Sequence, residues 1–202
     1  MSADAKQKMV GKDFIACGIL SLLGMVGMLV AAVMNVSGYS AAFYPAAAAF
    51  FVSLVYVVVV CKVPKPGAIL IYSVVPCVYF FTSGVIEGII GSAGIAVFAL
   101  AAEAIIAKDR TSGRRITLSG MVYTLYMSVV GMAENFLATD HYCDAAAGHG
   151  INLTVVEQMR AMYNFKPLWL VVIAATALLT LAGIQLGRRI MDKHLRKAGI
   201  VS

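Results

Sequence analysis

Runs of about twenty apolar residues recur along the whole of this chain, and they restrict its fold more than any other feature. A helix of that length spans the roughly 30 Å hydrocarbon core of a bilayer. Hydrocarbon offers the backbone no water to bond, so a spanning segment must satisfy its own N–H and C=O groups, as a helix does. The sequence therefore predicts an all-α integral membrane protein. Composition agrees, since 61% of the residues are hydrophobic and only 13% charged, outside the range of soluble domains. Little of the 202 residues remains besides the spans. We expect one membrane domain over 1–202, with a basic segment 1–13, a basic tail 188–202 and no soluble catalytic module.

Hydropathy places six transmembrane helices at about 14–34, 43–61, 67–82, 85–107, 116–137 and 167–189. The first run follows Lys6, Lys8 and Lys12, as a signal peptide would, but it is too long and ends at no small-residue cleavage site. It is expected to be a retained helix. The third helix is short and contains Pro76, which should kink it. With an even number of spans, fourteen of the sixteen Lys and Arg residues share the side of both termini, leaving Arg160 and Lys166 opposite. The positive-inside rule makes the basic side, and both termini, cytoplasmic. The net charge of +6 then reflects topology and anionic lipid, with no nucleic-acid partner implied. Three connections face outward, at 35–45, 81–85 and 138–166, and Thr154 with Glu157 marks a short amphipathic helix in the last. The sequon at 152–154 carries no weight.

Three carboxylates lie within apolar runs: Glu87, Glu103 and Glu134. Such groups are costly in a membrane and usually face a partner or a cavity. Glu103, near Lys108, reads as an inner-interface charge. Glu87 starts helix 4, where the helix dipole favours an anion, whereas Glu134 is expected at the end of helix 5, where the dipole opposes it. Solvent, Arg160, Lys166 or a ligand would have to compensate. Aromatics gather at the same outer level, among them Tyr44, Tyr79, Phe80, Phe136 and Trp169, as an interfacial belt or as pocket walls.

Small residues mark helix 1 (Cys17, Gly18, Ser21, Gly24, Gly27) and helix 4 (Gly84, Gly88, Gly91, Gly94), allowing close helix contact within the chain or with another subunit. The cysteines (Cys17, Cys61, Cys77, Cys143) show no metal or disulfide spacing, so no metal or cofactor is expected. There is no GxxxxGK[ST], HExxH or GxSxG, and the histidines are scattered, so the chain does not read as an enzyme.

Four stretches, "KDFIACGILSLLG", "CKVPKPGAIL", "ALAAEAIIA" and "LGRRIMDKHLRKAGIV", resemble the Trep_Strep (MptD-type) family of substrate-binding S components of energy-coupling factor (ECF) transporters. The resemblance runs from about residue 11 to the end. It implies a bacterial plasma-membrane subunit that captures a small nutrient, vitamin-like or another micronutrient, from outside. A transmembrane coupling protein and two cytoplasmic ATPases would then drive uptake. It also implies an outward pocket, for which Glu134, Asn135 and Glu87 would supply polar contacts, Tyr79, Tyr44 and Trp169 walls, and Arg160 a lid or counter-charge. Coupling in such proteins uses an AxxxA pattern on helix 1. Here Leu20 follows Ala16 at that spacing, and Cys17, Ser21 and Gly24 offer a small face instead. Two other readings stand beside this one: an autonomous proton-coupled secondary transporter, and a membrane scaffold or regulatory subunit without ligand.

Overall fold

The computed structural model describes residues 8–82 and 86–195, without the side chains of 86, 87, 194 and 195. The 83–85 part of the expected turn, Lys6 and the basic residues Arg196 and Lys197 lie outside the described residues. Six long helices form the bundle: α1 (Gly11–Ala31), α3 (Tyr44–Lys62), α4 (Ala68–Thr82), α5 (Ile86–Ile106), α6 (Gly113–Val129) and α10 (Pro167–Leu195). A 3₁₀ turn (Ala32–Val36) and the short α2 (Gly38–Ala41) join α1 to α3. Three further helices, α7 (Ala133–Leu137), α8 (Thr139–Gly148) and α9 (Leu153–Asn164), lie between α6 and α10. No strand occurs among the described residues.

Four segments are long and apolar enough to cross a membrane: Gly11–Val36, Tyr44–Lys62, Gly88–Ile106 and Pro167–Lys193. The 15-residue α4 is apolar but short. The 17-residue α6 begins with Arg114 and Arg115 and is interrupted by Ser, Thr and Tyr. Helix 5 was expected to run to residue 137, yet α6 stops at Val129 and a new helix starts at Ala133.

The central helix is α3, which packs against α1, α6 and α10. In its most apolar stretch 61% of residues are buried, against 28% in α1 and α5, whose outer faces carry Ile15, Ile19, Leu22, Val97 and Leu100 exposed as in a lipid-facing surface. Small residues let α10 approach α3 closely. A Cβ built on Gly183 would collide with Ser53 Oγ and with the Phe50 carbonyl oxygen. Ser53 donates to the Thr180 carbonyl, 3.2 Å away, across the same contact, and Thr124 and Thr180 hydroxyls meet at 2.8 Å between α6 and α10.

The basic residues gather at one end of the bundle, and several stitch it together. Asp13 caps α1 by accepting from the Val10 N–H (2.9 Å) and pairs with Lys65 at 2.7 Å. Glu103 accepts from the Gly67 and Ile69 N–H groups (2.8 and 3.3 Å) ahead of and within the first turn of α4, and pairs with Arg110. It is therefore a cap and an ion-pair partner rather than a solitary interface charge. Arg188 of α10 donates to the Gly113 carbonyl and to Thr117 Oγ1 (2.9 Å), fixing the start of α6.

Gly183→Ala should lower stability by about 1–3 kcal/mol, because its Cβ meets backbone and a buried hydroxyl with no room to yield. Gly18→Ala, whose Cβ meets nothing within 4 Å, should leave stability unchanged. Thermal unfolding midpoints of the two variants in one detergent check this, and equal midpoints would refute the close α3–α10 contact.

Candidate functional site

The break after α6 decides the chemistry of the opposite end. The N–H groups of Val130 and Gly131 both donate to the Tyr126 carbonyl at 2.9 Å, which widens the last turn. A Cβ at Gly131 would lie 2.7 Å from the Met127 carbonyl oxygen, so only glycine fits there. The chain restarts as α7, and Glu134 falls in its first turn, not at a helix C-terminus. The dipole no longer opposes its charge. Its carboxylate pairs with His141 Nδ1 at 2.8 Å, with side-chain exposures of 25% and 71%.

Helices α7, α8 and α9 fold over their own small core of Phe136, Cys143, Val156, Met159 and Tyr163, joined by Ala41 and Ala42 from the α2 side. Phe136 stacks on Trp169 of α10 (5.6 Å, 6°) and meets Tyr163 edge-on at 5.2 Å. Trp169 Nε1 donates to the Ser128 carbonyl at 2.6 Å. Lys166 donates to the Phe136 carbonyl and to Thr139 Oγ1 (3.0 Å), closing the end of α7. Asn135 is buried against the hydroxyls of Tyr142 and Tyr163. Burial pushes both phenols above their ordinary range while the Asn135 bond pulls them down, so both remain neutral hydrogen-bonding groups. Asn152, not Thr154, caps α9, accepting from the Thr154 N–H at 2.8 Å. Gly38 lies against the α9 backbone, and its N–H donates to Gln158 Oε1 at 3.1 Å, latching α2 to the cap.

The expected binding residues separate under this geometry. Glu134, Asn135, Arg160 and Trp169 all belong to the cap or its junction with α10. Arg160 is engaged by Asp140 and by Asp144 (2.8 Å), so it is a brace within the cap rather than a free counter-charge. Tyr44 packs partly buried on the main core. Tyr79 is 56% exposed on the outer face of α4, edge-on to Phe80. Glu87 lies in the first turn of α5, and its side chain is outside the described residues. The small face of α1 is turned inward. Cys17 and Ser21 are buried, and a Cβ at Gly24 would meet the Tyr72 hydroxyl at 2.6 Å, so this face packs within the chain against α4.

Sequence reasoning missed the tyrosines that this packing gathers. Tyr56, Tyr72, Tyr123 and Tyr126 are all nearly fully buried, with Tyr56 and Tyr123 stacked at 5.3 Å and Tyr72 and Tyr126 at 5.7 and 6.1 Å from Tyr123. Tyr56 bonds Ser119, which donates to the Ala102 carbonyl at 2.7 Å, and Ser73 donates to Tyr123 at 3.2 Å. Pro76 cannot bond the carbonyl one turn back, that of Tyr72, and Ser21 Oγ supplies the missing donor. The available signal was position: a tyrosine in mid-span is far from the interfacial belt and must find a partner inside. A cavity of about 10 Å³ lies among Ser21, Gly24, Met28, Tyr72, Tyr123 and Tyr126. A groove of about 350 Å³ lies on the other side of α4, between Leu70, Ser73, Cys77, Val78 and the α5 residues Ala96 and Leu100. Among the described side chains, none of the expected binding residues lines either one.

The chain belongs to the Trep_Strep family: the model of that family, described as a hypothetical bacterial integral membrane protein, matches residues 11–197. No curated protein and no solved structure matches it.

Lys166→Met should loosen the cap, because it strips a charged donor from the Phe136 carbonyl directly behind the stacked pair. The expected cost is about 1.5–3 kcal/mol. Trp169 is the only tryptophan, so its emission should shift to the red as the stack opens. An unshifted spectrum and midpoint would show that Lys166 does not hold the cap.

Proposed function

We propose that this protein is the substrate-binding membrane subunit, the S component, of an ECF-type importer. In this reading six helices cross the bacterial plasma membrane, both termini and the basic end face the cytoplasm, and α7–α9 cover the outer end. The observation that carries it is the division of the bundle into two unlike ends over a hydroxyl-lined interior. One end is a basic, tightly bonded face suited to stay on the cytoplasmic side. The other is a separately cored cap latched at Gly38 and Gln158. The resemblance of the α3–α4 loop and the C-terminal tail to S components supports the same reading, and it fits the lack of a GxxxxGK[ST] motif in the sequence.

Energy would come from a transmembrane coupling protein and two cytoplasmic ATPases. Because the small face of α1 is internal, the coupling protein would dock on the exposed apolar side of α1, with Ile15, Ile19 and Leu22, rather than on Cys17, Ser21 and Gly24. Glu134, Asn135 and Glu87 would meet the cargo on its way in, and opening would separate Glu134 from His141 and α9 from α2. A small nutrient is the cargo, and no cofactor takes part.

Affinity purification of the tagged chain from its native membrane should retain the coupling protein, both ATPases and a small molecule visible by native mass spectrometry. Recovery of the chain alone, with uptake that collapses under an uncoupler and survives loss of the ATPases, would establish a secondary transporter instead. For topology, a cysteine at Lys108 should react with an impermeant maleimide only in inverted vesicles, and one at Glu157 only in intact cells. Both positions are exposed. The reverse pattern would overturn the orientation.

A further inference from the structure

We infer that the tyrosine-lined cavity between α1, α3, α4 and α6 is the closed form of a binding site for a small, neutral, ring-bearing molecule, and that α4 is the wall that moves to open it. The inference rests on the binding-subunit reading and names the chemistry of its cargo.

The first observation is an unmet hydroxyl. Among the described residues no side-chain nitrogen or oxygen sealed from solvent lacks a partner. Tyr126 is only 4% exposed, its side chain lines the cavity, and its hydroxyl takes no hydrogen bond among the described residues. The Tyr72 hydroxyl beside it reaches only a stretched 3.5 Å bond to the Val52 carbonyl. Gly24 lets that hydroxyl lie close against α1, since a Cβ there would stand 2.6 Å from it. Two weakly engaged hydroxyls on the walls of one aromatic-lined space are what a hydrogen-bonding, flat ligand requires.

The second observation is the absence of charge. No Asp, Glu, Lys, Arg or His is among the described residues that line the cavity. An ion brought there would lose its hydration without gaining a counter-charge, so the site selects neutral molecules. In the cap Glu134 pairs with His141 and Arg160 with Asp140 and Asp144, and none of these lines the cavity.

The third observation supplies the room. At about 10 Å³ the closed cavity holds no more than a water molecule. Its α4 wall carries Pro76, where one helical bond is missing and the Tyr72 carbonyl is held by Ser21 instead. Ser73 and Cys77 on the opposite side of α4 face the groove of about 350 Å³ shared with α5. Bending of α4 at Pro76 into that groove transfers volume to the tyrosine side. Met25 and Met28 form the facing wall, and methionine adapts to new contacts at little cost.

The test uses the full chain in nanodiscs without partner subunits, titrated with benzamide, benzoate and benzylamine, which place a neutral, an anionic and a cationic group on one ring. Benzamide should bind saturably by calorimetry, and the two ions at least about tenfold more weakly. Tyr126→Phe should weaken benzamide about threefold to tenfold while the thermal midpoint holds, since it removes a hydroxyl that bonds no described residue in the closed form and keeps the ring. Ala96→Leu, which fills the groove behind α4, should abolish benzamide binding and leave the midpoint unchanged. Absence of saturable benzamide binding overturns the inference. So does benzamide affinity unaltered by both substitutions, and so does benzoate or benzylamine binding as tightly as benzamide, which would place the ligand at the charged cap. These measurements involve no ATPase, so the chamber can fail while the transporter reading stands, and the transporter reading can fail while the chamber binds.

Discussion

A polar group inside hydrocarbon must be answered from within the chain, and the bond from Ser21 to the Tyr72 carbonyl is where the structure depends on this most. Pro76 deprives that carbonyl of its helical donor, in the middle of an apolar helix only 15 residues long. Ser21 reaches it because Cys17, Ser21 and Gly24 present so little side chain that α1 lies directly on α4. From that contact follow the inward turn of the small face, the lipid-facing exposure of the bulky face of α1, and the position of the Tyr72 ring over Gly24.

The same demand shapes the rest of the interior. Hydroxyls are matched pairwise across helices: Tyr56 with Ser119, Ser73 with Tyr123, Thr124 with Thr180. Each pair ties α3, α4 or α10 to α6 or its neighbours and holds the tyrosine rings in contact. Glycine at 183 does for α3 and α10 what Gly24 does for α1 and α4. The ends are treated differently. The basic end uses charged side chains to cap helix termini, and the opposite end is closed by a separate small core with aromatic stacking at its hinge on α10.

Glu134 shows how a local reading goes astray. A continuous apolar run implied one helix through residue 137, and that put a carboxylate at a helix end that repels it. Gly131 stops the helix earlier, because the widened turn brings the chain within 2.7 Å of the Met127 carbonyl where no side chain fits. One glycine among several in the sequence gave no sign of this. Arg160 and Trp169 were legible as outer-level residues, but their partners, Asp140, Asp144, Phe136 and Ser128, depend on the packing of three short helices. Tyr79 was chosen for its neighbourhood of aromatics, yet it is exposed on α4, and the rings that do gather are buried.

By itself the sequence determined that this chain is helical and lives in a membrane, and which ends of its helices carry the positive charge. Those follow from the length of apolar runs and the spacing of Lys and Arg, quantities that each segment carries alone. Only the tertiary structure decided which polar groups face one another. Ser21 and Tyr72 are 51 residues apart, Tyr56 and Ser119 63, and Thr124 and Thr180 56. Hydrogen bonds act over a few ångströms, so partners so distant along the chain are chosen by how the helices pack.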